Sequence, residues 1–109
     1  MNVSLYVLQR AAAAIMAPMI VVHVAVIFYA TRHGLTAADI LSRTRGNIAW
    51  GAFYALFVAA ASAHAAIGIR NILAEWSPLD ERGAGIASLI SGLVLLGLGL
   101  CAVAAVTLR

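Results

Sequence analysis

Charge is scarce in this sequence. Only 10% of its 109 residues are charged, against about a quarter in soluble domains. With 64% hydrophobic residues, the deficit is too large for a buried soluble core. Most of the outer surface must instead meet lipid or apolar partner helices. Lysine is absent, and the seven cations are arginines standing singly or in pairs. The clustered basic patch that marks nucleic-acid binding is therefore missing. The single cysteine, Cys101, lies in an apolar run, which excludes a disulfide framework or a thiolate metal site within one chain. It is expected to be an inert packing residue. Among the four acids there is no carboxylate dyad, and no nucleophile–base pair is visible. Chemistry on a substrate is not expected of this chain alone.

Long apolar runs are what the sequence does have. Residues 11–30 carry no formal charge and, as a helix, would span about 30 Å, the hydrocarbon thickness of a bilayer. Pro18 is expected to bend this span, and the run exceeds the roughly 7–15 apolar residues of a cleaved signal peptide. A polar connection, 31–47, follows. Within it Thr36-Ala-Ala-Asp39 has the form of a capping box and predicts a short interfacial helix over 36–44. Arg32, Arg43 and Arg45 would lie at headgroup level in a solvated loop.

The second span is expected over 48–70, with Asn47 as N-cap and Trp50 as interfacial anchor. The helix would continue to Trp76 before Ser77-Pro78 stops it, with Leu79 to Gly83 as the next loop. The third span, 84–108, carries Gly85, Ser88, Ser91, Gly92, Gly97 and Gly99, small residues that permit close helix approach. The chain thus reads as one membrane domain, 1–109, all-α, with three transmembrane helices. Arg10, Arg70 and Arg82 fall on one side; Arg32, Arg43, Arg45 and Arg109 fall on the other. Three against four does not fix the orientation.

His23 and His64 each stand inside a span. An ionisable residue at membrane depth is costly unless it faces a partner or a cavity, and a neutral imidazole is a metal and haem-iron ligand. The helical neighbours of His64 are Ala60, Ala61, Ala65 and Gly68, a flat face against which a porphyrin edge could lie. His23 has bulkier neighbours, Met19, Ile20, Val26 and Ile27. For both, the alternative is a structural hydrogen bond to an adjacent helix. His33, beside Arg32, reads as a solvated histidine.

Adjacent spans run antiparallel, so Arg10 and Arg70 emerge on the same side. His23 lies thirteen residues from Arg10 and His64 six from Arg70, roughly 20 Å and 9 Å deep. A difference of about 10 Å prevents both from reaching one iron. If both are ligands they serve two haems, and each second ligand comes from another chain in a multi-subunit helical bundle. Arg10 and Arg70, with Tyr6, Gln9 and Trp76 nearby, could hydrogen-bond a quinone carbonyl or a haem propionate. The alternative is that these arginines snorkel to lipid phosphates.

The run His64-Ala-Ala-Ile-Gly68-Ile-Arg70, preceded by Phe53-Tyr54 and followed by Ile72 and Glu75-Trp76, has the form His-x-x-x-Gly-x-Arg. It resembles the second helix of the cytochrome b membrane-anchor subunit of succinate dehydrogenase and fumarate reductase. Leu8-Gln9-Arg10, followed by Ala-Ala-Ala-Ile and later by His23, resembles that family's opening helix, and three spans match it throughout. The resemblance implies that His64 is the proximal ligand of haem b and that Arg10 belongs to the quinone site. It likewise places Arg70 near the propionates and His23 where two-haem members bind a distal haem. Gln9 replaces the family's usual His, Ala12-Ala13 replace Ser/Thr-Gly, and Tyr6 stands where a quinone-site serine often occurs. The partners implied are a second membrane-anchor subunit or a second copy, an iron–sulfur subunit and a flavoprotein. The location implied is the bacterial inner membrane, with the Arg10 and Arg70 side cytoplasmic. The rival readings are a cytochrome b anchor for a different flavoprotein dehydrogenase and a haem-free helical scaffold.

Overall fold

The computed structural model describes residues 2–108. Four helices follow one another: α1 (Val3–His33), α2 (Ala37–Thr44), α3 (Ile48–Trp76) and α4 (Glu81–Thr107). α1, α3 and α4 are each long and apolar enough to cross a membrane, which establishes the all-α, three-span architecture.

The helices reach beyond the apolar runs. α1 begins at Val3 rather than Ala11, where the Asn2 side chain caps it by accepting from the Leu5 amide at 2.8 Å. Its 31 residues measure about 46 Å, so its ends project beyond the roughly 30 Å hydrocarbon layer or the helix tilts. α1 runs on through Pro18. α3 starts at Asn47, its N-cap, and continues to Trp76. α4 opens at Glu81, not Ala84, because Asp80 caps it by accepting from the Gly83 amide at 2.7 Å. The second loop is correspondingly only 77–80.

α2 forms with both halves of its capping box, Thr36 to the Asp39 amide and Asp39 to the Thr36 amide. The Asp39 carboxyl is held below its usual 3.8, first by the Thr36 hydroxyl, then by the Thr36 amide, with Arg43 adding attraction. At the corner before it, Gly34 adopts φ +127°, and a Cβ there would collide with the Asp39 carboxylate. Arg43 braces the same corner by donating to the Gly34 carbonyl at 3.0 Å. The connection is not merely solvated. The Thr44 hydroxyl donates to the Val106 carbonyl at 2.6 Å, and the Gly46 amide to Thr107 at 2.7 Å. Two carbonyls that the end of α4 would leave without helical partners are thereby satisfied.

α3 is the central helix, with α1 and α4 packed on different faces of it and α2 resting on α4. On α1 the residues turned toward α3 recur at 9, 12, 16, 19, 23, 26 and 30. All of these are buried or half-buried, at alternating spacings of three and four that mark one seam of a helix. On α4 the glycines at 85, 92 and 99 face α3. A Cβ on Gly92 would come within 2.9 Å of the Ala66 Cβ, and one on Gly99 would collide with Val58. Gly97 meets nothing. Few side chains are buried inside the chain, and the most apolar stretch of α4 contains none. Cys101 is exposed, on the outer surface of α4 rather than in packing within the chain.

Candidate functional site

Tyr6, Gln9 and Arg10 lie on the first turns of α1, within four residues of one another. The Arg10 guanidinium stands 5.5 Å from the centre of the Tyr6 ring, a cation–π arrangement. Both side chains are exposed, so their donors are open to a ligand from outside the chain. Gln9, on the α3-facing seam, is half-buried.

His64 is placed against that turn by the docking of α1 on α3. Its Nδ1 faces the Gln9 backbone carbonyl at 3.5 Å, a distance at the outer edge of hydrogen bonding. Among the described residues its Nε2 has no hydrogen-bond partner. Beside it, a Cβ on Gly68 would touch only the Gln9 side-chain amide, at 3.8 Å. The chain's own packing therefore does not demand glycine at 68. The relief on this face remains available to something the chain does not supply.

His23 sits elsewhere. It lies on the same seam of α1 but fourteen residues beyond Gln9, about 21 Å along the helix. Its ring makes edge contacts with Tyr54 and Phe57, at 5.9 and 5.4 Å between centroids. Trp50 and Phe53 extend this aromatic cluster. The buried Nδ1 of His23 has no hydrogen-bond partner. The two histidines thus occupy different depths, as the antiparallel arrangement predicts.

Arg70 shares the membrane side of Arg10 but not its face. It is half-buried, and its Nε lies 4.0 Å from where a Cβ on Gly85 would stand, which puts it toward α4. The structure therefore gathers Tyr6, Arg10 and His64 around Gln9, sets Arg70 on the neighbouring face and leaves His23 apart. His33 is tied to its own helix: its ring stacks on Tyr29 at 3.9 Å, and its Nδ1 lies 3.0 Å from the Tyr29 carbonyl. Among the described residues no group of three or more His, Cys, Asp or Glu could hold a metal ion.

Residues 1–89 match the family described as succinate dehydrogenase/fumarate reductase transmembrane subunit. The chain belongs to that family. The match spans α1, α2, α3 and the first turns of α4, and so includes every residue of the site. No curated protein and no solved structure matches the chain. Membership, together with the three spans, makes this a multi-pass membrane subunit of an oxidoreductase complex.

The role of Gln9 as the partner of the His64 ring was not foreseen, nor were Tyr54 and Phe57 as the partners of His23. A signal for them exists. The spacing from Gln9 to Ala30 already places Gln9 and His23 on one stripe, and that stripe must face a neighbouring helix.

Proposed function

We propose that this chain is the cytochrome b anchor of a succinate:quinone oxidoreductase, with His64 as an axial ligand of haem b. The observation that carries the reading is that the His64 Nδ1 faces a carbonyl while its Nε2 has no hydrogen-bond partner among the described residues. An iron-bound neutral imidazole keeps its proton on the other nitrogen and gives it to a nearby acceptor. The Gln9 carbonyl is such an acceptor for Nδ1, and it leaves Nε2 available beside the alanines and Gly68. His23 fits less well, because its buried Nδ1 would carry a proton with no acceptor. We therefore assign one haem to this chain, through His64.

Haem b, when bound, supplies a one-electron carrier between the iron–sulfur partner and quinone. The residues of this chain do the rest. The flat α3 face of Ala61, Ala65 and Gly68 would admit the macrocycle edge, with Ala60 already buried in the chain's own packing. Arg70 offers positive charge to the propionates. Tyr6 and Arg10 present a hydroxyl and a guanidinium to a quinone carbonyl, and the fixed cation favours negative charge gathering on that oxygen. Oxidation of succinate belongs to the flavoprotein partner. The Arg10 side faces the cytoplasm of a bacterial inner membrane, where the soluble subunits dock.

Reduced-minus-oxidised visible spectra of the complex test this, for wild type, His64→Ala and His23→Ala. The expected result is a b-type band lost with His64→Ala and kept with His23→Ala. A wild-type complex without the band sinks the cytochrome reading and favours the haem-free scaffold. A band halved by His23→Ala establishes the second haem instead.

A further inference from the structure

At the end of the bundle remote from His64, an open groove of about 450 Å³ runs along the joint of α3 and α4. Its walls are Gly51, Ala52 and Ala55 on one helix and Leu100, Val103 and Ala104 on the other. The groove exists because small residues line α3 there while the Gly46 and Thr44 bonds hold the end of α4 in place.

Two features say what fills it. The first is length. From Asn47 at the mouth to Ala55 is eight residues, about 12 Å, close to half of the roughly 30 Å hydrocarbon layer. A transmembrane helix would need a surface running the full thickness of that layer, which this groove does not supply. The second is charge. Arg45 immediately precedes the mouth in the chain and, with Ser42, Leu41 and Ala38, lines a second hollow on α2. Arg32 and Arg43 stand on the same side of the membrane.

We propose that the groove binds an acyl chain of an anionic phospholipid, with the phosphate against Arg45 and α2. The lipid would fill the space between α3 and α4 and tether α2 to the interface. Nothing in this assignment depends on haem or quinone, since the groove lies at the opposite end from Gln9 and His64.

The test uses the detergent-purified complex, stripped of loosely held lipid and returned to micelles of phosphatidylglycerol or phosphatidylcholine. Retained phosphorus per complex and the thermal midpoint are read for wild type and three variants. Ala52→Leu and Ala104→Leu fill the groove from opposite walls, and Arg45→Gln removes the charge. The expected result is retention of phosphatidylglycerol by wild type through washing, with a raised midpoint, and little response to phosphatidylcholine. Both filling variants lose the retention and the shift, and Arg45→Gln loses the preference between lipids. Equal retention of the two lipids by wild type would make the groove ordinary boundary surface and overturn the proposal. So would unchanged retention in both filling variants, or disulfide cross-linking of two chains through Ala55→Cys in a Cys101→Ser background, which would put a second copy in the groove.

Discussion

Nδ1 of His64 looks onto a backbone carbonyl at 3.5 Å, while Nδ1 of His23 is buried without an acceptor. The same residue type, inside two apolar helices, thus meets different surroundings. Gly68 sharpens the distinction. Its missing Cβ would make only ordinary contact with Gln9, so Gly68→Ala should be neutral or stabilising by up to about 1 kcal/mol. Gly68→Leu should leave helicity intact, by circular dichroism, yet lower haem per complex several-fold. Equal haem content in Gly68→Leu would mean that the relief beside His64 serves no ligand. Asp39 gives a pH prediction of the same scale. Its folded-state carboxyl titrates below 3.8, so its contribution to α2 is complete above that value and is lost as pH falls below it. The protection of α2 amides, measured as exchange relative to the intrinsic rate at each pH, should be flat from neutrality to about pH 4 and then fall toward lower pH. In Asp39→Asn that acid-side loss of protection should be absent.

Among the elements, the α3–α4 pair rests on absent side chains, because in a bilayer close van der Waals approach, rather than water exclusion, joins helices. Gly92→Leu and Gly99→Leu force new atoms onto Ala66 and Val58 and should each cost about 1–3 kcal/mol. Gly97→Leu, facing open space, should be nearly neutral. Unfolding of the purified protein in mixed micelles would read the order, and equal losses at 97 and 99 would contradict the seam. The three glycines at 85, 92 and 99 are separated by whole heptads, a period visible in the sequence, as is the α1 stripe from 9 to 30. The spans, the α2 capping box and the Asn47 cap were legible for the same reason: each is a local pattern with a local cause. What stayed hidden was contact between elements. Composition alone could not show that the 31–47 connection bonds to the last carbonyls of α4, nor that Arg70 turns toward α4 while His64 turns toward α1. Those outcomes depend on which face of α3 each neighbour occupies. An apolar run marks where a helix can cross lipid, not where the helix ends. Capping by Asn2 and Asp80 lets each helix extend into the polar region.

For the molecule as a whole, the central place of α3 limits what the chain can complete unaided. A six-coordinate b-type iron needs two axial ligands, and the chain holds only three histidines. His64 lies beside Gln9, whereas His23 is about 21 Å further along α1 and packed on Tyr54 and Phe57. His33 is stacked on Tyr29, past the far end of the span. Neither can meet His64 at one metal without dismantling the α1–α3 seam. The wide exposure of apolar side chains, including Leu89, Leu93 and Leu98 on α4, leaves ample surface for the helices that would bring the missing ligand. The chain expressed without other subunits should therefore give no low-spin b-type spectrum at one chain per haem. Co-expression with the partner anchor should restore it, and His64→Ala in the restored complex should abolish it again. Low-spin haem held by two copies of this chain would name the partner as a second copy. A stable low-spin complex of one chain with one haem would overturn the separation of the histidines on which the partner requirement stands.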